Sequence, residues 1–251
     1  CAPHLPGVGW RLTGVGGGSL MTPLLMLLFG VHPATAVGTD LLYAAITKMG
    51  GTTVHARKGH VDWKITGRLA AGSIPATILT LSALSYFGLP EKHLSVVISS
   101  VLGVALLLTA VALIFKQRIQ AFALSHHSDH WRTRWLGPVT VATGALLGVL
   151  VSLSSVGAGA IGVAVLFFLY PQLSAIRIVG SDLAHAVPLT LVAGIGHWMM
   201  GSVDWSLLGS LLIGSLPGIY LGSHLAARMP ERLLRPVLAS MLVLIGVKLL
   251  V

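Results

Sequence analysis

The sequence predicts an all-α integral membrane protein built from two homologous halves, and three observations predict it. Hydrophobic residues make up 55% of the 251 positions and charged residues only 9%, far below the soluble average of about 25% charged. Apolar runs long enough to cross about 30 Å of hydrocarbon recur along the whole chain. The stretch GHVDWKITGRLAAGSIP, Gly59 to Pro75, returns as GSVDWSLLGSLLIGSLP, Gly201 to Pro217, 142 positions later. That offset is too long for a solenoid repeat and suits a duplicated half-protein.

Eight apolar segments follow in order: about Val8 to Phe29, Ala34 to Ala56, Trp63 to Phe87, Leu94 to Phe115, Leu136 to Leu169, Ser174 to Met200, Trp205 to Ala226 and Leu233 to Val251. Residues 1–115 form the first transmembrane repeat and residues 136–251 the second. The polar stretch KQRIQAFALSHHSDHWRTRW, residues 116–135, reads as a cytoplasmic linker between them. Its His126, His127 and His130 read as a solvated loop surface, since they have no cysteine nearby and no carboxylate but Asp129. The opening CAPHLPGVGWRLTG is too short and too broken by Pro3, Pro6 and Arg11 to read as a signal peptide. The formal charge of +9 sits in short loops, where it orients a membrane protein, so nucleic acid is not an expected partner. A single cysteine, Cys1, excludes an intrachain disulfide and a cysteine-rich metal site. No cofactor is expected.

The halves match feature by feature. VGTDLLYA pairs with VGSDLAHA, His55 with His197, Asp62 and Trp63 with Asp204 and Trp205, and Pro75 with Pro217. Upstream, GVGGGSL (Gly14 to Leu20) aligns with SVGAGAI (Ser155 to Ile161). In this order the motifs resemble the sulfite exporter TauE/SafE transporters: a Gly-rich GxGGG near the start, an AVGTS-like stretch, a basic loop with a VDW-type sequence, then Gly and Pro in the next helix. Asp40 and Asp182 stand where that family often has Ser. The resemblance covers nearly the whole chain. It implies a bacterial inner-membrane, multi-pass transporter of small sulfur-containing anions such as sulfite, thiosulfate or organosulfonates, exporter-like and not an enzyme.

Loop charges add what the resemblance does not. In the first half ARKGHVDWK carries Arg57, Lys58 and Lys64, while GLPEKH is balanced by Glu91. In the second half MMGSVDW has no cation and ARMPERLLR carries Arg228, Arg232 and Arg235. By the positive-inside rule equivalent loops lie on opposite sides, which makes the halves inverted repeats. The segment Leu136 to Leu169 supplies the parity: as one helix it would run about 50 Å, so a break at Gly157 and Gly159 makes it re-entrant, with Arg177 on the cytoplasmic side. The rival reading has eight full crossings and parallel halves.

Glycine costs a helix about 1 kcal/mol relative to Ala, so clustered glycines in apolar segments call for a reason. Gly16, Gly17, Gly18 and Ser19, with Gly157, Ala158 and Gly159, read as unwound segments whose amides face a bound anion. Gly67, Gly72, Gly209 and Gly214 read as close helix packing. Ionisable groups inside apolar runs are functional candidates by default. Lys48, with the hydroxyls of Ser19, Thr39 and Ser181, is expected to hold the oxyanion. Asp40 with Tyr43, and Asp182 with His185, share helical faces and read as proton-coupling or structural groups; caps on broken helices, and an Asp40–Lys48 pair, are the structural version. His55 and His197 lie at helix ends as second-rank candidates. Asp62 and Asp204 read as N-caps beside interfacial Trp63 and Trp205, and Pro75 and Pro217 as hinges or kinks.

Alternating access around a midplane site, with the bilayer and a small anion as partners, is the expected mechanism. Proton coupling and a homodimer are both compatible with the sequence. A divalent-cation carrier using Asp40, Asp182, His185 and His197, and an uncoupled anion channel, are the alternatives. An intramembrane enzyme lacks any clear Ser-His-Asp or HExxH arrangement.

Overall fold

The computed structural model describes residues 18–88, 90–125, 129–215 and 231–250. It is helical throughout, with no strand among the described residues. The helices are α1 (Gly18–Phe29), α2 (Pro33–Arg57), α3 (Trp63–Phe87), α4 (Glu91–Ser125), α5 (Asp129–Ser154), α6 (Ala160–Leu169), α7 (Ala175–Met199), α8 (Trp205–Ser215) and α9 (Glu231–Leu250). Over the described residues, seven of the eight apolar segments map onto one helix each, and the long fifth one splits into α5 and α6. Windows in α3, α4, α5 and α7 are long and apolar enough to cross a membrane by length and composition. Large side chains face outward along them and their neighbours: Leu79 is 70% exposed, Leu146 64% and Ile213 75%. That outer surface suits lipid, where an exposed leucine carries no penalty.

Helix ends follow local chemistry, and they do so twice. Gly59 stops α2 at φ +68° and Gly201 stops the turn after α7 at φ +73°. The next amides reach back to the helix, His60 N–H to His55 O at 3.0 Å and Ser202 N–H to His197 O at 2.9 Å. This is a left-handed C-cap that glycine adopts without a Cβ penalty. Asp62 then caps α3 by accepting from the amides of Lys64 and Ile65 at 3.1 and 3.3 Å. Asp204 caps α8 by accepting from Leu207 N–H at 2.9 Å. Trp63 and Trp205, both exposed, follow these caps, as the sequence leads one to expect.

Helix directions come from the close contacts. Leu42 of α2 lies on Gly194 of α7, and Leu183 of α7 on Gly51, so the two run antiparallel. Gly103 of α4 meets Gly246 and Leu250 of α9 while Gly246 meets Leu107, which makes that pair antiparallel too. Both pairs join equivalent helices of the two halves. Helix α5 runs parallel to α3, with Gly144 against Leu69 and Gly148 against Ser73.

Helix α6 turns back along α5. Gly162 lies near Leu147, and the Tyr170 hydroxyl, just past the end of α6, is 2.8 Å from Thr140 Oγ1. Leu136 and Leu173 share one cluster with Ile65 and Leu69 at the start of α3. The α5–α6 hairpin therefore begins and ends at the same face of the bundle, the one that carries Arg57, Lys58, Lys64 and Arg177. At the opposite face His32 meets Ser95 Oγ at 2.7 Å and Glu91 at 3.5 Å.

The scattered glycines divide. Gly72 and Gly144 pack so closely that an added Cβ would strike the backbone of Val141 or Leu69, whereas Gly67, Gly209 and Gly214 face open space among the described residues. Close packing thus explains Gly72 and leaves Gly67, Gly209 and Gly214 without that account. Overpacking of this kind costs about 1–3 kcal/mol. Gly144→Val is expected to lower the thermal unfolding midpoint in detergent by several degrees, whereas Gly67→Ala leaves it unchanged or raised; a Gly144→Val protein as stable as the wild type would mean that the α3–α5 seam is loose.

Candidate functional site

The site grows out of the break between α5 and α6. Ser154 ends α5, its hydroxyl 2.6 Å from Leu150 O and 3.2 Å from the Val156 amide. Ser155 follows at φ +57°, and Gly157 and Gly159 both adopt φ +130°, backbone that only glycine adopts at ease. The helix restarts with Gly162 N–H on Gly157 O at 3.1 Å and Val163 N–H on Gly159 O at 3.2 Å. The break places the first turn of α6, with its positive dipole end, inside the bundle.

Three charged side chains converge on it. Lys48 of α2 donates from Nζ to Ala158 O at 3.5 Å. Asp182 of α7 faces the amide of Gly159, and its Oδ1 occupies the space where a Cβ on Gly162 would sit. Asp40 of α2 accepts from Thr22 Oγ1 of α1 at 2.6 Å. Both aspartates are buried, and each has one oxygen, Oδ1, without a hydrogen-bond partner among the described residues. Lys48 interacts electrostatically with both. Within 4.0 Å no ion pair joins it to either among the described residues, so the Asp40–Lys48 contact is electrostatic and not a salt bridge.

The other expected groups divide by position. Ser181 Oγ accepts the amide of Asp62 at 2.8 Å, and Thr39 Oγ1 accepts the amide of Asp204 at 3.1 Å. Each bond joins one half to the other, and the two are equivalent under the repeat. Tyr43 is buried in an apolar cluster with Leu42 and Leu208. His185 Nε2 pairs with Ser73 Oγ of α3 at 2.9 Å. Among the described residues neither Tyr43 nor His185 hydrogen-bonds the aspartate three positions before it. Buried His197 holds Ser152 O from Nε2 at 2.9 Å, and half-buried His55 lies edge-on to His60 with ring centroids 5.9 Å apart.

Pro75 lies within α3. Gly18 opens α1, and Ser19 is in its first turn. Gly16, Gly17, Pro217, His126 and His127, and the side chains of Ser19 and His130, lie outside the described residues. Among the described residues no three His, Cys, Asp or Glu side chains gather as a metal site, so Asp40, Asp182, His185 and His197 do not form one ligand set. Sequence reasoning missed Thr22, Ser73, Ser152 and Gly162, small residues whose partners lie on other helices; only Gly162, another glycine after the Gly157–Gly159 cluster, carried a visible signal.

The profile of the family described as "Sulfite exporter TauE/SafE" matches residues 7–249. The chain belongs to the TauE/SafE family. This TauE/SafE chain is similar to two Bacillus subtilis (strain 168) proteins, "Probable membrane transporter protein YjnA" and "Probable membrane transporter protein YdhB". It is 38% identical to the first over 242 residues, covering 95% of this chain and 93% of the relative. The second is 30% identical over 247 residues, covering 96% of each. "Probable membrane transporter protein MJ0441" of Methanocaldococcus jannaschii is 27% identical over 259 residues, 96% of this chain and 90% of the relative. No solved structure matches. The chain is thus a multi-pass membrane transporter of the TauE/SafE family.

The crossed bonds of this TauE/SafE transporter predict a stability effect. Thr39→Val and Ser181→Ala each leave a backbone amide without its acceptor, a loss of about 1–3 kcal/mol. Both variants are expected to unfold at lower temperature in nanodiscs, and by similar amounts. A large drop in one and none in the other would show that the two crossings are not equivalent.

Proposed function

We propose that this protein carries a small sulfur-containing anion, such as sulfite, thiosulfate or an organosulfonate, across the bacterial inner membrane in the exporter direction. One observation carries the reading: half-buried Lys48 meets the broken backbone at Ala158 through Nζ, beside the N-terminus of α6. Non-helical backbone at membrane depth persists where it is buried in protein or lines a cavity. An ammonium beside a positive helix end is an environment for an oxyanion.

In this reading Lys48 and the backbone of Gly157, Ala158 and Gly159 hold the anion from one side. The segment Gly16, Gly17, Gly18 and Ser19, leading into α1, holds it from the other. Thr39 and Ser181 act from behind: their hydroxyls fix the two VDW loops and thereby the levels of Asp40 and Asp182. Asp182, beside the anion, repels it when ionised, so protonation of Asp182 and anion binding favour each other. His185 stands one turn away as the next proton acceptor. This couples anion movement to the proton gradient.

The two halves are inverted repeats in this proposal. Its support is that equivalent helices α2 and α7, and again α4 and α9, lie antiparallel against one another. The face with Arg57, Lys58, Lys64 and Arg177 is cytoplasmic by the positive-inside rule, which places the linker 116–135 there. Rearrangement of the halves then exposes the central site to each side in turn.

Flux of radiolabelled sulfite, thiosulfate and a small sulfonate into proteoliposomes tests this, with and without a pH gradient. Saturable uptake of at least one anion is expected. Lys48→Ala should reduce it by at least about tenfold, the equivalent of a charged hydrogen bond of about 1.5 kcal/mol or more. Asp182→Asn should remove the response to the gradient. Flux that does not saturate and ignores the gradient would make the protein a channel, and no flux of any of the three would sink the substrate assignment.

A further inference from the structure

The two aspartates are equivalent in the repeat, yet their surroundings differ. With both ionised, Asp40, Asp182 and Lys48 leave one net negative charge in a low-dielectric interior, which is costly without a countercharge. The contacts of Gly51 and Thr52 with Leu183 set Asp182 about 6 Å along the axis from Lys48, whereas Asp40 lies about 12 Å from it along α2. Among the described residues the carboxylate left short of a cation is Asp40.

Around Asp40 stand two hydroxyls, those of Thr22 and Ser155, and the backbone amide of Thr22. Thr22 Oγ1 spends its proton on Oδ2 at 2.6 Å and keeps its lone pairs. Ser155 sets its hydroxyl beside the same carboxylate, but no hydrogen bond closes: Asp40 Oδ1 and Ser155 Oγ both lack a partner among the described residues. Asp40 is 0% exposed and Ser155 8%. Ser155 directly follows α5, where the last carbonyls and the negative end of the dipole face outward. Its φ of +57° is one that glycine would adopt more easily, and a strained residue at such a place is an observation to be explained. The hydroxyl is what serine brings there beyond glycine.

We propose that Asp40 Oδ1, Ser155 Oγ and Thr22 Oγ1 form a binding site for Na+. Hard cations take oxygen ligands, and a single carboxylate matches a single positive charge. The ion ties α1 and α2 of the first half to the α5–α6 break of the second, and so links its own binding to the geometry of the Lys48 site. The consequence for flux, Na+ dependence, rests on the transport reading; binding itself does not.

Thermal unfolding of the purified protein, titrated with NaCl, LiCl, KCl or choline chloride at constant ionic strength and without any sulfur anion, tests the site. A ligand of the native state raises the midpoint by mass action. A saturable rise with Na+ and none with choline is expected, lost in Asp40→Asn and in Ser155→Gly. Ser155→Gly relieves the backbone, so its baseline stability should hold or rise while the response to Na+ disappears, which a purely structural serine would not produce. Lys48→Ala, with one positive charge fewer nearby, should bind Na+ more tightly. Identical midpoints in NaCl and choline chloride, or a Na+ response that survives in both Asp40→Asn and Ser155→Gly, would overturn the proposal. A wild-type midpoint that follows pH but not Na+ would give Asp40 to a proton instead. Failure of anion flux with the Na+ response intact would leave this site standing and remove the substrate.

Discussion

The amides of Asp62 and Asp204 each reach across to a hydroxyl on the opposite half, and the levels of the central charges follow from that crossing. Helices in lipid gain little by hiding apolar surface from one another, so small residues and hydrogen bonds set their register. Both are present here in matched pairs. Gly38 lets the Ser202 carbonyl lie against α2, and Gly180 lets the His60 carbonyl lie against α7; a Cβ at either glycine would collide with it. The glycine and the hydroxyl next to it act as one clasp. With α2 and α7 held in this register, Asp182 lies level with position 52 of α2, about 18 Å along the axis from Asp40. Lys48 falls between them, where its ammonium interacts with both carboxylates and touches the break.

A second constraint holds the break itself. The α5–α6 hairpin leaves and rejoins the basic face, and its unwound turn needs a rigid wall behind it. Helix α3 provides one through the seam of Gly72, Gly144 and Gly148, where backbones approach too closely for any side chain. On the other side, Val156 is buried in the cluster that α4 and α9 share. His197 pins Ser152 O from α7. The turn is thus held from three directions, and its two glycines take backbone angles that its neighbours impose.

Much of this was legible in the sequence because it is local. Apolar run length located the helices, Asp before Trp located two caps, and the excess length of Leu136 to Leu169 required the break that appears at Ser155 to Gly159. The convergence of Lys48 and the glycine break was also readable, since a lysine and a glycine cluster in apolar segments each demand a partner. What could not be read is what depends on a distant helix. Gly72 and Gly67 look alike along the chain, but only Gly72 has α5 against it. Tyr43 and His185 share a face with Asp40 and Asp182 by spacing, yet three residues turn a helix about 60° short of a full circle, enough to aim each at a different neighbour. Thr39 and Ser181 looked like anion ligands because nothing in the sequence shows that a loop from the other half arrives first.

The clasp has a mechanical consequence. The residue that caps α3 is bonded to α7, and the one that caps α8 to α2, so each half's third helix is anchored to the second helix of its counterpart. Helix α3 is also sealed along α5. Since α2 and α7 are themselves packed in one register, these contacts join α2, α3, α5, α7 and the start of α8 into one unit. That unit takes helices from both sequence repeats: the pieces the chain repeats differ from the pieces its contacts join.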